Sequence, residues 1–107
     1  MNYKWRKRAE TQLTKAVTFC TKTFGKRIAQ QFIGNVDHQV RLISAHPHIG
    51  PLEPLLNNRR HSYRSLVVHE HFKLIYYIDE KKEFIYIVAL WDIRREPEAL
   101  VSSIQAK

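Results

Sequence analysis

The apolar positions in the first half of the chain repeat at helical spacing. From Ala9 onward they fall three or four residues apart on one helical face, at Ala9, Leu13, Ala16, Val17, Cys20 and Phe24. A second stripe of the same kind must end before Pro47, and contains Ala29, Phe32, Ile33, Val36, Val40 and Ile43. Gly25 lies between the stripes and is typical of a residue that ends a helix. The pattern predicts two antiparallel helices joined by a very short turn.

The second half of the chain has a sequence pattern typical of β-strands. Residues 63–68, 72–78 and 84–91 are rich in β-branched and aromatic side chains, and hairpin-length joints at 69–71 and 79–83 separate them. These runs predict a three-stranded antiparallel meander, in which the last strand is apolar on both faces and therefore central. Residues 2–6 alternate like an opening strand, and Pro97 permits a short terminal helix with Ala99, Leu100 and Ile104 facing inward.

The predicted fold class is therefore α+β. One domain over residues 1–107 has the order β-α-α-β-β-β with a short C-terminal helix, and its helical hairpin packs on one face of a small, mostly antiparallel sheet. We expect the other sheet face to be left for function. The segment 46–54 holds three of the four prolines and Gly50, which predicts a stiff, ordered loop between the two halves.

Charge narrows the choice of partner. The 107 residues include 18 Lys and Arg against 10 Asp and Glu, a net charge of +8, which favours a polyanionic or acidic partner. Residues 1–50 hold nine basic and two acidic residues, so most of the excess lies in the helical half. No apolar run is long enough to span a membrane and no signal-peptide core follows the basic N-terminus, so we expect a cytoplasmic protein. Cys20 lies in a helical stripe and is predicted to be a small core residue.

Motifs for several chemistries are missing from the sequence. There is no phosphate-binding glycine loop, no Cys-x-x-Cys pair and no serine-hydrolase elbow. Two His-x-His pairs, at 46/48 and 69/71, lack the further ligands that zinc requires, so no metal site and no cofactor are predicted.

Basic side chains accumulate in or beside the predicted strands. They are Arg59, Arg60, Arg64, Lys73, Arg94 and Arg95. Together with Tyr63, Tyr76 or Tyr86 such cations would grip phosphates and stack bases, and with a histidine they would support metal-free cleavage of RNA through its 2′-hydroxyl. For any one of them taken alone, a solubilising surface charge is the better explanation.

Four segments in order resemble the RelE/ParE toxin superfamily of type II toxin-antitoxin systems. They are residues 3–13 (Tyr-Lys-Trp, then Arg-Ala-Glu and Leu), the turn at 46–50, the strand at 72–78, and the ending at 90–97. The resemblance implies a small basic toxin bound by a cognate antitoxin in a hetero-oligomer. It also implies one of two targets, because RelE-like members cut mRNA on the ribosome whereas ParE-like members poison DNA gyrase by binding it.

The resemblance places the RelE-like cutting residues at Arg64, Lys73 and Arg94. The tyrosine or histidine that often follows is missing after Arg94. His69 or His71, in the joint before Lys73, is the candidate substitute for proton transfer, with His71 preferred, and Arg59, Arg60 and Arg95 are assigned to nucleic-acid binding. The ending from Asp92 to Pro97 is similar to the ParE-like branch instead, where Asp92 would hold an arginine by an ion pair. The sequence hypothesis leans to mRNA cleavage, with gyrase inhibition as the alternative and a non-toxic nucleic-acid-binding module as a third interpretation.

Overall fold

The computed structural model describes residues 1–57, 59–69 and 71–104. Its elements run in the predicted order: β1 Asn2–Trp5, α1 Lys7–Phe24, α2 Lys26–Ala45, a single 3₁₀ turn Pro54–Leu56, β2 Arg64–His69, β3 Phe72–Asp79, β4 Phe84–Asp92 and α3 Pro97–Ser103. The α+β prediction is confirmed. Glu70, in the predicted joint between β2 and β3, lies outside the described residues. None of the helices in the described part of the chain is both long and apolar enough to cross a bilayer.

The four strands form one sheet in the order β1-β4-β3-β2. β2, β3 and β4 pair antiparallel as the predicted meander, while β1 runs parallel to β4 on its other side. β4 is therefore an inner strand, in agreement with its apolar sequence.

The helical hairpin covers one face of the sheet. Its core is made by the two predicted stripes and the inward positions of β2, β3 and β4, including Ala9, Phe32, Val36, Val40, Ile43, Leu74, Tyr76, Ile85, Ile87 and Leu90. Gly25 joins the helices at φ +92°, a backbone conformation that glycine adopts without steric cost. The apolar spacing and this glycine together account for the hairpin.

Two members of the apolar stripes are not buried. Phe24 and Ile33 lie on the same helical faces as core residues, but they are 62% and 44% exposed. Periodicity identifies the face of a helix on which a residue lies, but it does not reveal whether another layer covers that part of the helix. Phe24 ends α1 beside the interhelical turn, where it lines an open groove instead of the closed core.

The second face of the sheet is also largely covered, which corrects the expectation that it stays free. A second cluster packs there, formed by Ile75, Tyr77, Ala89 and Trp91 from the sheet with Leu56, Tyr63, Leu100 and Ile104 from the segments around it. Ala99, Leu100 and Ile104 of the C-terminal segment therefore face inward, as predicted. The sequence pattern missed this layer because the 54–63 segment and α3 are too short to carry a strong periodicity.

Candidate functional site

Arg64 begins β2 opposite Tyr76, so it lies on the helical side of the sheet. Its Nη1 donates a hydrogen bond to the Gly50 carbonyl at 2.8 Å. The buried Tyr76 hydroxyl accepts from the Gly50 N–H at 3.0 Å and donates to the Pro47 carbonyl at 2.7 Å. A Cβ at Gly50 would lie 2.6 Å from the Ser65 carbonyl, so only glycine fits. Arg64 therefore helps to fix the stiff loop onto the sheet.

Lys73 lies on the opposite face, between Val67 of β2 and Trp91 of β4. Its Nζ forms an ion pair with Glu53 at 2.5 Å, and the two side chains are 17% and 1% exposed. Burial alone raises the pKa of Glu53, but hydrogen bonds from Lys73 and the Leu55 N–H outweigh burial and hold that pKa below its usual value. The Lys73 charge is thus already neutralised inside the protein.

Arg94 follows β4 and is held by Asp92. Its Nε and Nη2 donate to the two carboxylate oxygens at 3.0 and 2.8 Å, and its backbone N–H donates to the first of these at 2.9 Å. These bonds lower the pKa of Asp92, led by the Arg94 side chain, and raise the pKa of Arg94. The ion pair that the ParE-like ending implies is therefore present.

The remaining predicted residues occupy separate places. His71 and Arg94 both line an apolar groove. The Arg95 guanidinium lies 4.6 Å from the centre of the Trp91 ring, and Arg59 donates to the Val101 carbonyl at 3.2 Å. Arg60 is exposed. The structure thus places His71 and Arg94 in the lining of one groove but keeps Arg64 and Lys73 on opposite sheet faces, and the catalytic assignment of these four residues stays a prediction.

The apolar groove is a feature that the sequence interpretation missed. Its volume is about 430 Å³, and it is lined by Ala16, Phe19, Cys20, Phe24, Ile28, Phe32, His69, His71, Phe72 and Arg94. Phe19 is 62% exposed and Ile28 is 40% exposed, although both are large and apolar. The sequence did contain one indication of the groove: Phe19 and Ile28 are large apolar residues that lie outside the two stripes, on either side of the turn at Gly25. An exposed apolar surface of this kind is typical of an interaction site.

Metal ligation has little support among the described residues. Across residues 1–57, 59–69 and 71–104, no three histidine, cysteine, aspartate or glutamate side chains lie together in a way that would hold a metal ion. His48 and Glu80 approach to 3.3 Å, but they form only an exposed pair.

Comparisons with known proteins agree with this fold. The sequence matches the profile of the family described as ParE toxin of type II toxin-antitoxin system, parDE, over residues 3–97. No curated protein matches the chain significantly. Among solved structures, a chain of the chromosomal ParDE toxin-antitoxin system from P. aeruginosa superposes with a TM-score of 0.70 at 17% identity, covering 87% of this chain and 96% of that one.

A YoeB/ParE toxin from Agrobacterium tumefaciens superposes with a TM-score of 0.58 at 12% identity, covering 86% of this chain and 98% of that one. At such identities the two structures establish the shared fold alone. The profile match spans most of the sequence, and the chain therefore belongs to the ParE toxin family, within the RelE/ParE superfamily of type II toxin-antitoxin systems.

Proposed function

We propose that this protein is a growth-inhibiting toxin that acts by binding a protein target, DNA gyrase in the ParE-like manner, and that a cognate antitoxin neutralises it. The observation that carries the proposal is the state of the predicted cutting residues. Arg64 is bonded to the loop, Lys73 to a buried carboxylate, and Arg94 to Asp92. Each cation is therefore occupied within the protein.

Cleavage of RNA at its 2′-hydroxyl places a stricter demand on geometry than protein binding does. A base, an acid and at least one cation must meet around a single phosphate. Arg64 and Lys73 point to opposite sides of the sheet, so they do not meet at one phosphate in this arrangement. Ribosome-dependent mRNA cleavage, with His71 and Arg94 as its remaining groups, is the competing prediction. A nucleic-acid-binding module without toxicity is the third.

The apolar groove supports the antitoxin part of the proposal. Its lining is mostly apolar, and three exposed basic residues, Lys22, Lys26 and Arg27, lie close in sequence to the interhelical turn at Gly25. An amphipathic acidic helix would place apolar side chains against Phe19 and Phe24 and carboxylates against these basic side chains. The net charge of +8 favours the same acidic partner.

The cellular response to the isolated chain tests the mode of action. The chain is induced from a tightly repressed promoter, with co-expressed antitoxin as the control, and DNA breaks, the SOS response and transcript ends are followed in parallel. Gyrase poisoning predicts DNA breaks and SOS induction before translation falls. Transcripts cut in phase with codons, with intact DNA, would favour the nuclease instead, and continued growth would favour the non-toxic module.

Groove substitutions test the antitoxin site. The binding partner in this experiment is the cognate antitoxin, which we expect to be encoded by a short open reading frame beside the toxin gene. Burying one phenylalanine contributes about 1.5–3 kcal/mol, so Phe19→Ser or Phe24→Ser is expected to weaken antitoxin binding by about tenfold or more in calorimetry. Leu52→Ser, at a residue that is 54% exposed and outside the groove, is the matched control. Equal affinities of all three variants and the parent protein would refute the assignment of the groove.

A further inference from the structure

A cluster of aromatic rings and cationic side chains lies at the end of the sheet away from Arg94. Arg6 directly follows β1, and its backbone N–H donates to the Ile87 carbonyl at 2.8 Å. Its guanidinium carbon lies 4.3 Å from the centre of the Tyr86 ring, and its Nη2 donates to the Tyr77 hydroxyl at 3.0 Å. An exposed arginine is thus held in one orientation by two tyrosines.

His61 adds a second flat surface to this group. Its imidazole stacks on the Tyr77 ring with centroids 3.8 Å apart and planes 10° from parallel, and it meets Tyr63 edge-on at 5.9 Å. Burial, followed by the charge of Arg60, lowers the pKa of His61 against the opposing effect of Asp79. A neutral, half-buried imidazole is therefore stacked on one face by a tyrosine at neutral pH.

Of the residues in this group, only Arg60 was among the predicted site residues, and the group lies at the end of the sheet away from Arg94. Tyr77 pairs with Tyr86, whereas Phe72 pairs with Asp92 at the end of the sheet where Arg94 lies. Phe72 and Tyr77 are five residues apart along β3, which corresponds to about 17 Å. Arg60, which is exposed, precedes His61 and adds a second cation at the Tyr77 end.

Proteins that bind single-stranded nucleic acids use positively charged groups for the phosphates and flat ring faces for the bases. Guanidinium groups pair with phosphate oxygens, and bases stack on imidazole, phenol or guanidinium planes regardless of their identity. The stack on Tyr77 and the hydrogen bond from Arg6 fix these surfaces before any ligand arrives, which lowers the entropic cost of binding.

We propose that Arg6, Arg60 and His61, supported by Tyr77 and Tyr86, form a binding site for a short single-stranded nucleic-acid segment. The two arginines contact its phosphates, and a base stacks on His61 or on the Arg6 guanidinium. This inference goes beyond the proposed function, because it needs neither gyrase nor the ribosome.

Fluorescence anisotropy of labelled (dT)12 and (rU)12 with the full chain at low salt tests the site directly. Binding is expected to weaken about fivefold or more in Arg60→Ala and in His61→Ala, whereas His61→Phe, which keeps a stacking ring, retains it. Arg41→Ala is the matched control, because it removes a cation that is 77% exposed on α2, and it is expected to change affinity less than twofold.

The possible results separate clearly. A preference for DNA or for RNA identifies the source of the segment, and either one supports the site. Absence of binding to both oligonucleotides overturns the proposal, as does an equal loss in Arg41→Ala and Arg60→Ala, which indicates diffuse charge attraction. If His61→Ala fails to fold, Arg60→Ala at an exposed position carries the test. Gyrase inhibition is measured separately, so failure of one proposal is distinguishable from failure of the other.

Discussion

Replacing Lys73 with methionine isolates the role of the buried ion pair. The Glu53 side chain is 1% exposed, so the variant leaves a carboxylate without its cation in the interior. Breaking a buried pair in this way costs about 3–5 kcal/mol. The lower end applies here, because Lys73 is 17% exposed and Glu53 keeps its hydrogen bond from the Leu55 N–H at 3.1 Å. We expect a loss of about 3 kcal/mol at pH 7, which lowers the Tm of a chain of this size by roughly 13 °C.

The pH dependence gives this prediction a distinctive signature. The pKa of Glu53 in the folded parent protein is lowered, so its stabilising effect is present above the usual glutamate pKa and is lost as pH falls through the folded value. In Lys73→Met the hydrogen bond and the charge of Lys73 no longer lower the pKa of Glu53, so burial is less well opposed and this pKa rises above that of the parent protein. Protonation of Glu53 near pH 4.5 therefore removes the unpaired buried charge from the variant, and the difference in free energy of unfolding between variant and parent protein becomes smaller.

Urea unfolding followed by far-UV circular dichroism at pH 7 and pH 4.5 measures both effects. Lys15→Met, at an exposed position of α1, is the matched control and is expected to stay within about 0.5 kcal/mol of the parent protein. The double variant Glu53→Gln/Lys73→Met is expected to recover part of the loss, since no charge is left buried. A loss below about 1 kcal/mol at pH 7, or a gap that does not narrow in acid, would refute the structural role of Lys73.

Two further predictions concern the loop and the helix turn. Tyr76→Phe leaves the buried Gly50 N–H and the Pro47 carbonyl without their hydrogen-bond partner, which costs about 2 kcal/mol of stability. Tyr3→Phe, at an exposed position, is the control and is expected to be nearly neutral. Equal thermal midpoints for the two variants would contradict the role of the Tyr76 hydroxyl. Gly25→Ala is expected to destabilise by about 1 kcal/mol because of the positive φ, but Gly34→Ala in α2, with open space around its Cβ, is expected to stabilise by about 0.5–1 kcal/mol. Calorimetric melting of both glycine variants checks this pair, and a shift of the same sign would count against it.

Much of the fold could be predicted because its signals are local. The helical stripes, Gly25 and the β-branched runs each act within a few residues, and they set the element order and the inner position of β4. The stiff loop was equally local, since prolines and Gly50 restrict its backbone.

The candidate site depends on information that a local pattern does not contain. The pairing of Glu53 with Lys73 joins residues twenty positions apart, and its existence follows from the path of the loop across the sheet. The strand register determines on which face of the sheet each basic side chain lies, and a register shift of one residue would move it to the opposite face. The groove beside Phe24 arises where the helices lack a covering layer, and hydrophobic periodicity does not distinguish such a position from core.

Supercoiling by purified DNA gyrase, measured with increasing amounts of the purified chain, tests the central claim most directly. The account predicts that supercoiling falls or that cleaved DNA accumulates in the gyrase complex, and that equimolar antitoxin reverses the effect. A ribosome reaction with a defined mRNA runs alongside at the same toxin concentrations. Unchanged gyrase activity together with codon-phased cuts in that mRNA would contradict the account and would establish RNA cleavage as the activity.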